Sequence, residues 1–330
     1  MNPALRGGII GFGRNAMKAH LPAFQALSQF EIQAVCDPRE EALQTAPTLL
    51  KGVRTYRNPE ELLESEALDF VVIATPPSLH APLSLAALRR KISVLCEKPL
   101  TSHSKELELL EKTAQENHVT LFTVHNWKYA PILQELSKIL HSQEIGSLKR
   151  TEIEILRTRP AAGEGNWRGD ASVGGGGIVM DHGWHWFYLI PSLVGEDFKT
   201  VSAKLALNEA KIEEVAACRF DKADGTGVYL HLSWRAERRY NGGLFEGTQG
   251  TVHLKDDRLE REQKVIPFPE RLSAGSYHPE WIRAMLLDFE KEVRNPIKRG
   301  ENLREAKRCL QWCQAVYRSH QLGGEKVNLI

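Results

Sequence analysis

Three side chains in this chain are of the types that move a proton beside a polar substrate: Lys98 in Cys96-Glu97-Lys98-Pro99, and Asp181 and His185 in the glycine-rich stretch 174–185. A lysine directly after an apolar run, placed beside a cationic ring, exchanges protons near neutrality. Asp181 and His185 stand four residues apart. On an α-helix that spacing puts carboxylate and imidazole on one face, where the anion orients the ring and stabilises its charged form. His182 lies between them, but one α-helical step turns it about 100° away from Asp181, and no further ligand pattern accompanies it, so no metal is expected. Taken singly, a Lys-Pro pair or a helical histidine is ordinarily structural. What gives these three a reaction is a cofactor motif elsewhere in the chain.

That motif is Gly11-Phe12-Gly13-Arg14-Asn15-Ala16. It follows an apolar run, opens a helical stretch and ends on a small third residue, so the backbone can turn tightly and bring a pyrophosphate to a helix N-terminus. Asp37 closes the next apolar run, roughly 20 residues onward, where a carboxylate binds the adenosine ribose. A carboxylate there favours NAD, while Arg14 and Arg39 leave NADP as the alternative cofactor. Three later turns follow apolar runs in the same way: Ala74-Thr75-Pro76 with His80, Glu97-Lys98, and His125-Asn126. In a doubly wound sheet the carboxyl ends of the strands share one edge, so Ala74, Thr75, Pro76, His80, Glu97, Lys98 and Asn126 are expected to face the cofactor.

The elements that position these residues are readable from period. Strand-like runs at 7–11, 32–36, 69–75, 92–96 and 120–124 alternate with helical stretches at 16–28, 38–50, 78–90 and 102–117, the signature of βαβ units and a parallel sheet. The run Phe70-Val71-Val72-Ile73-Ala74 does not alternate, as expected of a strand covered on both faces. After a helix at 131–141 the period changes. Alternating segments at 148–157, 200–207, 213–220, 227–233, 243–246 and 251–254 predict a large, mostly antiparallel sheet, and helices at 279–294 and 303–320 end the chain. The expected architecture is an α/β Rossmann domain over 1–125, then an α+β domain over 126–330 for substrate binding and oligomerisation, its closing helices able to pack back on the first domain.

Bulk properties remove other classes. At 330 residues the chain is long enough for two cores, and 43 basic against 42 acidic residues give no general attraction for nucleic acid or anionic membranes. Five cysteines without a CxxC pair do not make a disulfide framework. With no export signal and no run of 18 apolar residues, a cytoplasmic protein and a small-molecule substrate are expected.

The assembled motifs resemble the Gfo/Idh/MocA family of nicotinamide-dependent dehydrogenases over essentially the whole chain. The resemblance rests on GFGRNAMKAH at 11–20, VVIATPPSLH at 71–80, CEKP at 96–99, HNWKYAP at 125–131, NWR at 166–168 and GGGIVMDHGWH at 175–185. It implies a Rossmann domain followed by an open sheet domain, an active site in the cleft between them, a cis Lys98-Pro99 bond, and a homodimer or homotetramer formed through the outer sheet face. It also implies catalytic roles for Lys98, Asp181 and His185, which with Tyr129, Trp167 and Arg168 would contact substrate. His185 would take the hydroxyl proton while hydride passes to the nicotinamide, Asp181 would stabilise the imidazolium, and Lys98 would bond the reacting oxygen. Trp127, Tyr129, Trp167, Trp184 and Trp186 are candidates for a stacking wall, against ordinary packing. One departure stands out: Tyr188 occupies a position where many relatives place an aspartate. The function expected is NAD(P)-dependent oxidation of a secondary alcohol, or reduction of its ketone, on a sugar, cyclitol or nucleotide-linked sugar. The alternatives are a non-catalytic dinucleotide sensor and an enzyme whose tightly held NAD turns over within a redox-neutral reaction.

Overall fold

The computed structural model describes residues 3–159, 167–275 and 277–329. Asn166 of the NWR motif lies outside them. The chain forms two compact units, Met1–Asn126 with Ser276–Lys307, and Trp127–Gly275 with Arg308–Ile330.

The first unit is built on a six-stranded parallel sheet of β1 (Leu5–Ile10), β2 (Phe30–Cys36), β3 (Arg54–Tyr56), β4 (Phe70–Ile73), β5 (Ser93–Cys96) and β6 (Leu121–Thr123), in the order β3-β2-β1-β4-β5-β6. The reversal of direction falls between β1 and β4, the switch point where doubly wound sheets bind ligands. All four β4 residues are buried, which explains why that strand reads as a continuous apolar run. Helices α1 (Leu21–Gln25), α2 (Glu40–Leu49), α3 (Pro59–Ser65), α4 (His80–Arg89) and α5 (Ser104–Glu116) connect the strands. Leu107, Leu110 and Ala114 form the buried face of α5. The helix Pro279–Arg294 returns to this unit and inserts Phe289 against Phe70, Phe30 and Phe122, with ring centroids 5.6, 6.3 and 5.6 Å away. Full burial of such a ring contributes roughly 1.5–3 kcal/mol. Strand β3 and helix α3 escape a reading by period because the strand is three residues long and exposed, so it shows no alternation.

The second unit carries a nine-stranded sheet of β7 (Leu148–Leu156), β8 (Phe198–Leu207), β9 (Glu213–Lys222), β10 (Gly227–Ser233), β11 (Tyr240–Gly247), β12 (Thr251–Lys255), β13 (Arg258–Arg261), β14 (Lys264–Pro267) and β15 (Val327–Asn328). Its order is β14-β13-β12-β11-β7-β10-β9-β8-β15, antiparallel except for the parallel pair β7 and β10. Strands β13 and β14 are short and carry Arg258, Glu260, Arg261 and Lys264, charges that blunt a free sheet edge. Helices α6 (Pro131–His141), α7 (Ala171–Gly174) and α8 (Trp184–Val194) belong to this unit, with the last part of the helix Glu301–Gln321. Phe187 of α8 meets Phe220 and Trp312 at centroid separations of 5.6 and 5.9 Å. Trp184 and Trp186 are fully buried, so their rings belong to this core and form no stacking wall for a substrate.

Candidate functional site

In the first unit the phosphate turn is forced by its neighbours. Gly11 has φ +90°, and a Cβ there would stand 2.7 Å from the Ala74 carbonyl oxygen. Glycine therefore lets the end of β1 pass close to the turn after β4. At Gly13 the reverse holds: a Cβ would meet only Arg39 Nη2, at 3.8 Å, so open space lies before the backbone where a pyrophosphate is expected. Residues Ala16–His20 then form a π-helical turn rather than an α-helical one, leading into α1. Ala16 is fully buried, the Phe12 ring is buried and Arg14 is exposed.

Asp37 braces this turn directly. Its Oδ2 accepts from Phe12 N at 2.8 Å and from Arg39 Nη2 at 2.9 Å, while its Oδ1 accepts from Arg39 N and Nε, both at 2.9 Å. Burial works against the charged form, but these bonds and the Arg39 charge hold Asp37 below the usual carboxylate range. Its side chain is 4% exposed and that of Arg39 is 61% exposed. The carboxylate expected to repel a 2′-phosphate is thus already neutralised by an arginine on the solvent side.

The turn after β5 is organised around Glu97. Its Oε1 receives Asn15 Nδ2 and faces His20 Nε2, each at 2.7 Å, and its Oε2 accepts from Lys98 N at 3.2 Å. Burial again opposes ionisation, and the His20 ring, Lys98 and Asn15 outweigh it, so Glu97 stays ionised. Glu97 therefore ties the phosphate-turn helix to the lysine turn, and the Lys98-Pro99 bond is cis. His80 is 1% exposed, with Nδ1 2.7 Å from the Pro99 carbonyl and Nε2 2.9 Å from the Thr75 carbonyl. It clamps the turn at 74–76 to the lysine turn from inside. Burial pulls its basicity down, against the two carbonyls. The Thr75 hydroxyl oxygen is buried without a hydrogen-bond partner, the kind of orphan a bound ligand satisfies. Asn126 is buried at the end of this unit. An open glycine backbone, a carboxylate at the end of β2 and an orphan hydroxyl fit a dinucleotide, which Gly11 to Ala16 could hold at its pyrophosphate and Asp37 and Arg39 at its ribose.

In the second unit Gly177 allows the entry to the stretch that carries Asp181 and His185, since a Cβ there would lie 2.2 Å from the Glu213 carbonyl oxygen. The Glu213 carboxylate anchors the same place, Oε1 accepting from Gly177 N at 2.7 Å, Val179 N at 3.2 Å and the Tyr317 hydroxyl at 2.8 Å. Burial pushes this carboxyl up. Residues Val179–Gly183 then form a second π-helical turn, which runs into α8 at Trp184. This corrects the α-helical expectation for Asp181 and His182, while His185 lies in α8. A π turn holds more residues than an α turn, and Asp181 Oδ2 lies 3.3 Å from His182 Nδ1, the ring that α-helical spacing had turned away. The same oxygen accepts from Arg168 Nε at 2.8 Å. Among the described residues no group of three His, Cys, Asp or Glu side chains is arranged to hold a metal.

His185 is held by aromatic neighbours. Trp127 stacks on it with centroids 4.6 Å apart and planes inclined by 17°, and Tyr188 places its hydroxyl 2.8 Å from His185 Nδ1. The Tyr188 hydroxyl also accepts from Trp127 N at 3.2 Å. The residue that replaces an expected aspartate thus still fixes the imidazole, with a neutral phenol. Trp167 carries the Arg168 guanidinium over its ring at 4.0 Å, and Tyr129 ends the short helical turn Asn126–Tyr129. Two further arginines are not marked by any sequence signal. Arg157, at the end of β7, is 1% exposed and lies 5.9 Å from the Trp127 ring, and burial together with the Arg239 charge pushes it down to about 9. Arg239, just before β11, is lowered by burial and by Arg168, while Asp181 opposes the shift. Like His20 and Glu213, these residues lie tens of positions from the groups they serve, and no local motif announces them.

Comparison with known proteins gives this architecture a kinship. Residues 5–125 match a family model described as an oxidoreductase family with an NAD-binding Rossmann fold, and residues 133–253 match the GFO/IDH/MocA C-terminal domain. Among curated proteins, the dTDP-3,4-didehydro-2,6-dideoxy-alpha-D-glucose 3-reductase of Streptomyces violaceoruber is 27% identical, over 82% of this chain and 83% of its own. The myo-inositol 2-dehydrogenase of Thermotoga maritima is 26% identical, over 90% and 89%. A crystal structure of an oxidoreductase from Thermotoga maritima superposes with a TM-score of 0.86 at 23% identity, covering 99% of this chain and 98% of that one.

Proposed function

The chain belongs to the Gfo/Idh/MocA family of NAD-binding oxidoreductases, and from that premise we propose that it oxidises a secondary hydroxyl of a sugar or cyclitol, or reduces the matching ketone, with Lys98, Asp181 and His185 as its catalytic residues. The observation that carries this reading is the mounting of His185: a ring stacked on Trp127 and bonded at Nδ1 by Tyr188 is held in one orientation. Because Nδ1 is taken, we assign proton transfer to Nε2. Bound NAD supplies the hydride acceptor or donor at the substrate carbon. His185 takes the hydroxyl proton, and Asp181 offsets the charge that the ring gains. Lys98 donates a hydrogen bond to the reacting oxygen, in a turn held by Glu97 and His80. Tyr129, Trp167 and Arg168 are assigned to substrate binding. The named activities of the two relatives, a deoxysugar-nucleotide 3-reductase and an inositol dehydrogenase, support a polyhydroxylated ring as substrate.

The experiment is a screen of sugars and cyclitols with NAD and NADP, read as reduced-nicotinamide absorbance, on the natural chain and on Lys98→Ala and His185→Ala. Both variants are expected to bind NADH and to lose turnover; full activity in both would overturn the assignment. We further propose a cytoplasmic protein, consistent with five buried cysteine thiols, and a homodimer or homotetramer joined through the sheet face that exposes Tyr229. Sedimentation of Tyr229→Arg against the natural chain tests that interface.

A further inference from the structure

Among the described residues, the guanidiniums grouped around Asp181 outnumber the carboxylates grouped with them. Arg168 bonds Asp181 directly, at 2.8 Å. Arg157 directs its donors to neutral acceptors: the carbonyls of Leu156 and Tyr240 at 2.7 and 3.0 Å, and Asn241 Oδ1 at 2.8 Å. Its Nε is buried with no acceptor. Arg239 likewise donates to carbonyls, Nε to Ser273 at 3.0 Å and Nη2 to Gly275 at 3.4 Å, and is exposed. Among the described residues neither Arg157 nor Arg239 forms an ion pair. The two are linked through one carboxylate that touches neither. Asp256 Oδ1 lies 3.3 and 3.4 Å from Asn241 N and Nδ2 and 3.0 Å from Ser273 N, and Oδ2 lies 2.5 Å from Ser273 Oγ. Among the described residues, three guanidiniums, of Arg157, Arg168 and Arg239, thus share this region with two carboxylates, of Asp181 and Asp256. His182 adds no negative charge.

A buried guanidinium without a counter-ion is costly, several kcal/mol in the general case. A neutral polyol does not offset that cost, because its hydroxyls are recognised by paired donors and acceptors rather than by surplus positive charge. An anion does so, and a forked, exposed guanidinium is the group best suited to carboxylate or phosphate oxygens. We propose that the substrate carries a carboxylate or a phosphate on a carbon other than the one oxidised, that Arg239 receives this group beside Arg168, and that Arg157 strengthens the field from beneath. The proposal rests on the reading of Asp181 and His185 as the reacting end of the site, and it narrows the substrate from polyols in general to acidic or phosphorylated sugars.

The test titrates glucose, glucuronate and glucose 6-phosphate, with the galacto- and manno-configured sets, into the NADH-loaded protein by calorimetry, at about 20 and about 300 mM NaCl. At least one anionic sugar is expected to bind about tenfold or more tightly than its neutral parent. The gap should narrow at the higher salt and in Arg239→Gln, and Arg239→Lys should recover part of it. The carboxylate and phosphate arms tell the two anion sources apart. The inference fails if neutral parents bind as tightly as both derivatives, if the preference is indifferent to salt and to Arg239→Gln, or if no anionic sugar binds and inorganic phosphate does not compete with any substrate found. Oxidation of a neutral sugar alone would sink the inference and leave the dehydrogenase reading standing. Tight anion binding with no nicotinamide change would do the opposite.

Discussion

The two units treat charge in opposite ways. In the first, every candidate carboxylate already has a protein partner: Asp37 holds Arg39, and Glu97 holds Asn15 and His20. In the second, Asp181 shares its surroundings with more guanidiniums than carboxylates among the described residues, and the His185 ring, the proposed base, is bonded by a neutral phenol. The first arrangement presents backbone to a ligand that brings its own charges and is shared by many proteins. The second leaves an electrostatic question that only a particular substrate answers. Cofactor recognition is therefore generic here, and substrate choice is individual.

The contrast is sharpest in what each unit loses on mutation. His185→Ala is expected to lower kcat by about 10²–10⁴-fold with the Kd for NADH unchanged, read by single-turnover absorbance and fluorescence titration. A parallel loss of NADH binding would erase the division of labour between units.

A second break-point is stability, where the first unit carries a titrating group that its site does not use. Glu292 is 4% exposed and accepts from Gly300 N and Asn302 N, both at 2.8 Å, yet burial raises it to about 6 from 4.5. A raised carboxyl means that the folded state binds more protons than the unfolded state between those two values. Stability from this group is therefore present below pH 4.5 and is lost as pH rises through about 6, a change of about 2 kcal/mol. Melting temperature followed from pH 4.5 to 7 should fall more gently in Glu292→Gln than in the natural chain. An identical slope would show that the group does not titrate as described.

Smaller effects test the comparison from either side. Removing the arginine in Arg39→Ala frees Asp37, so the NAD to NADP preference should rise about tenfold, measured as the ratio of kcat/KM. Tyr188→Phe removes one hydrogen bond to His185 and should lower kcat about fivefold with little change in KM. Tyr188→Asp should restore the rate relative to Tyr188→Phe and, in the oxidation direction, shift the acidic limb of the pH profile upward, a response that a purely packing role would not produce.

Much of the first unit was legible because its signals are local. A glycine turn between a strand and a helix, and an apolar run such as Phe70 to Ile73, state their environment in a few consecutive residues. Lys98 and Asp37 could be singled out by tracing strands to their ends. The second unit yielded its strands by alternation and its helix α6 by period, but not the chemistry of its centre. Asp181 and His182 meet on a π-helical turn, a departure from α-helical winding that residue spacing does not state. Arg157 follows the end of β7 and Arg239 precedes the start of β11, and only the pairing of Leu156 with Tyr240 brings them together. Strands β3 and β14 are exposed and short, and β13 is four residues long with Leu259 as its one buried residue, so nothing in their composition separates them from loops.

Both candidate stretches run into a π turn, Ala16–His20 in one unit and Val179–Gly183 in the other. In terms of inheritance, each is where a helix can take in a single extra residue without disturbing the turns beyond it. The reverse edit is then unusually informative. Deleting Gly183 would let the helix rewind as α, leave α8 and its buried Trp184 and Trp186 in place, and swing Asp181 and His182 around the axis by about a hundred degrees. A protein altered in this way should keep its fold and its nucleotide while losing the arrangement on which its substrate depends.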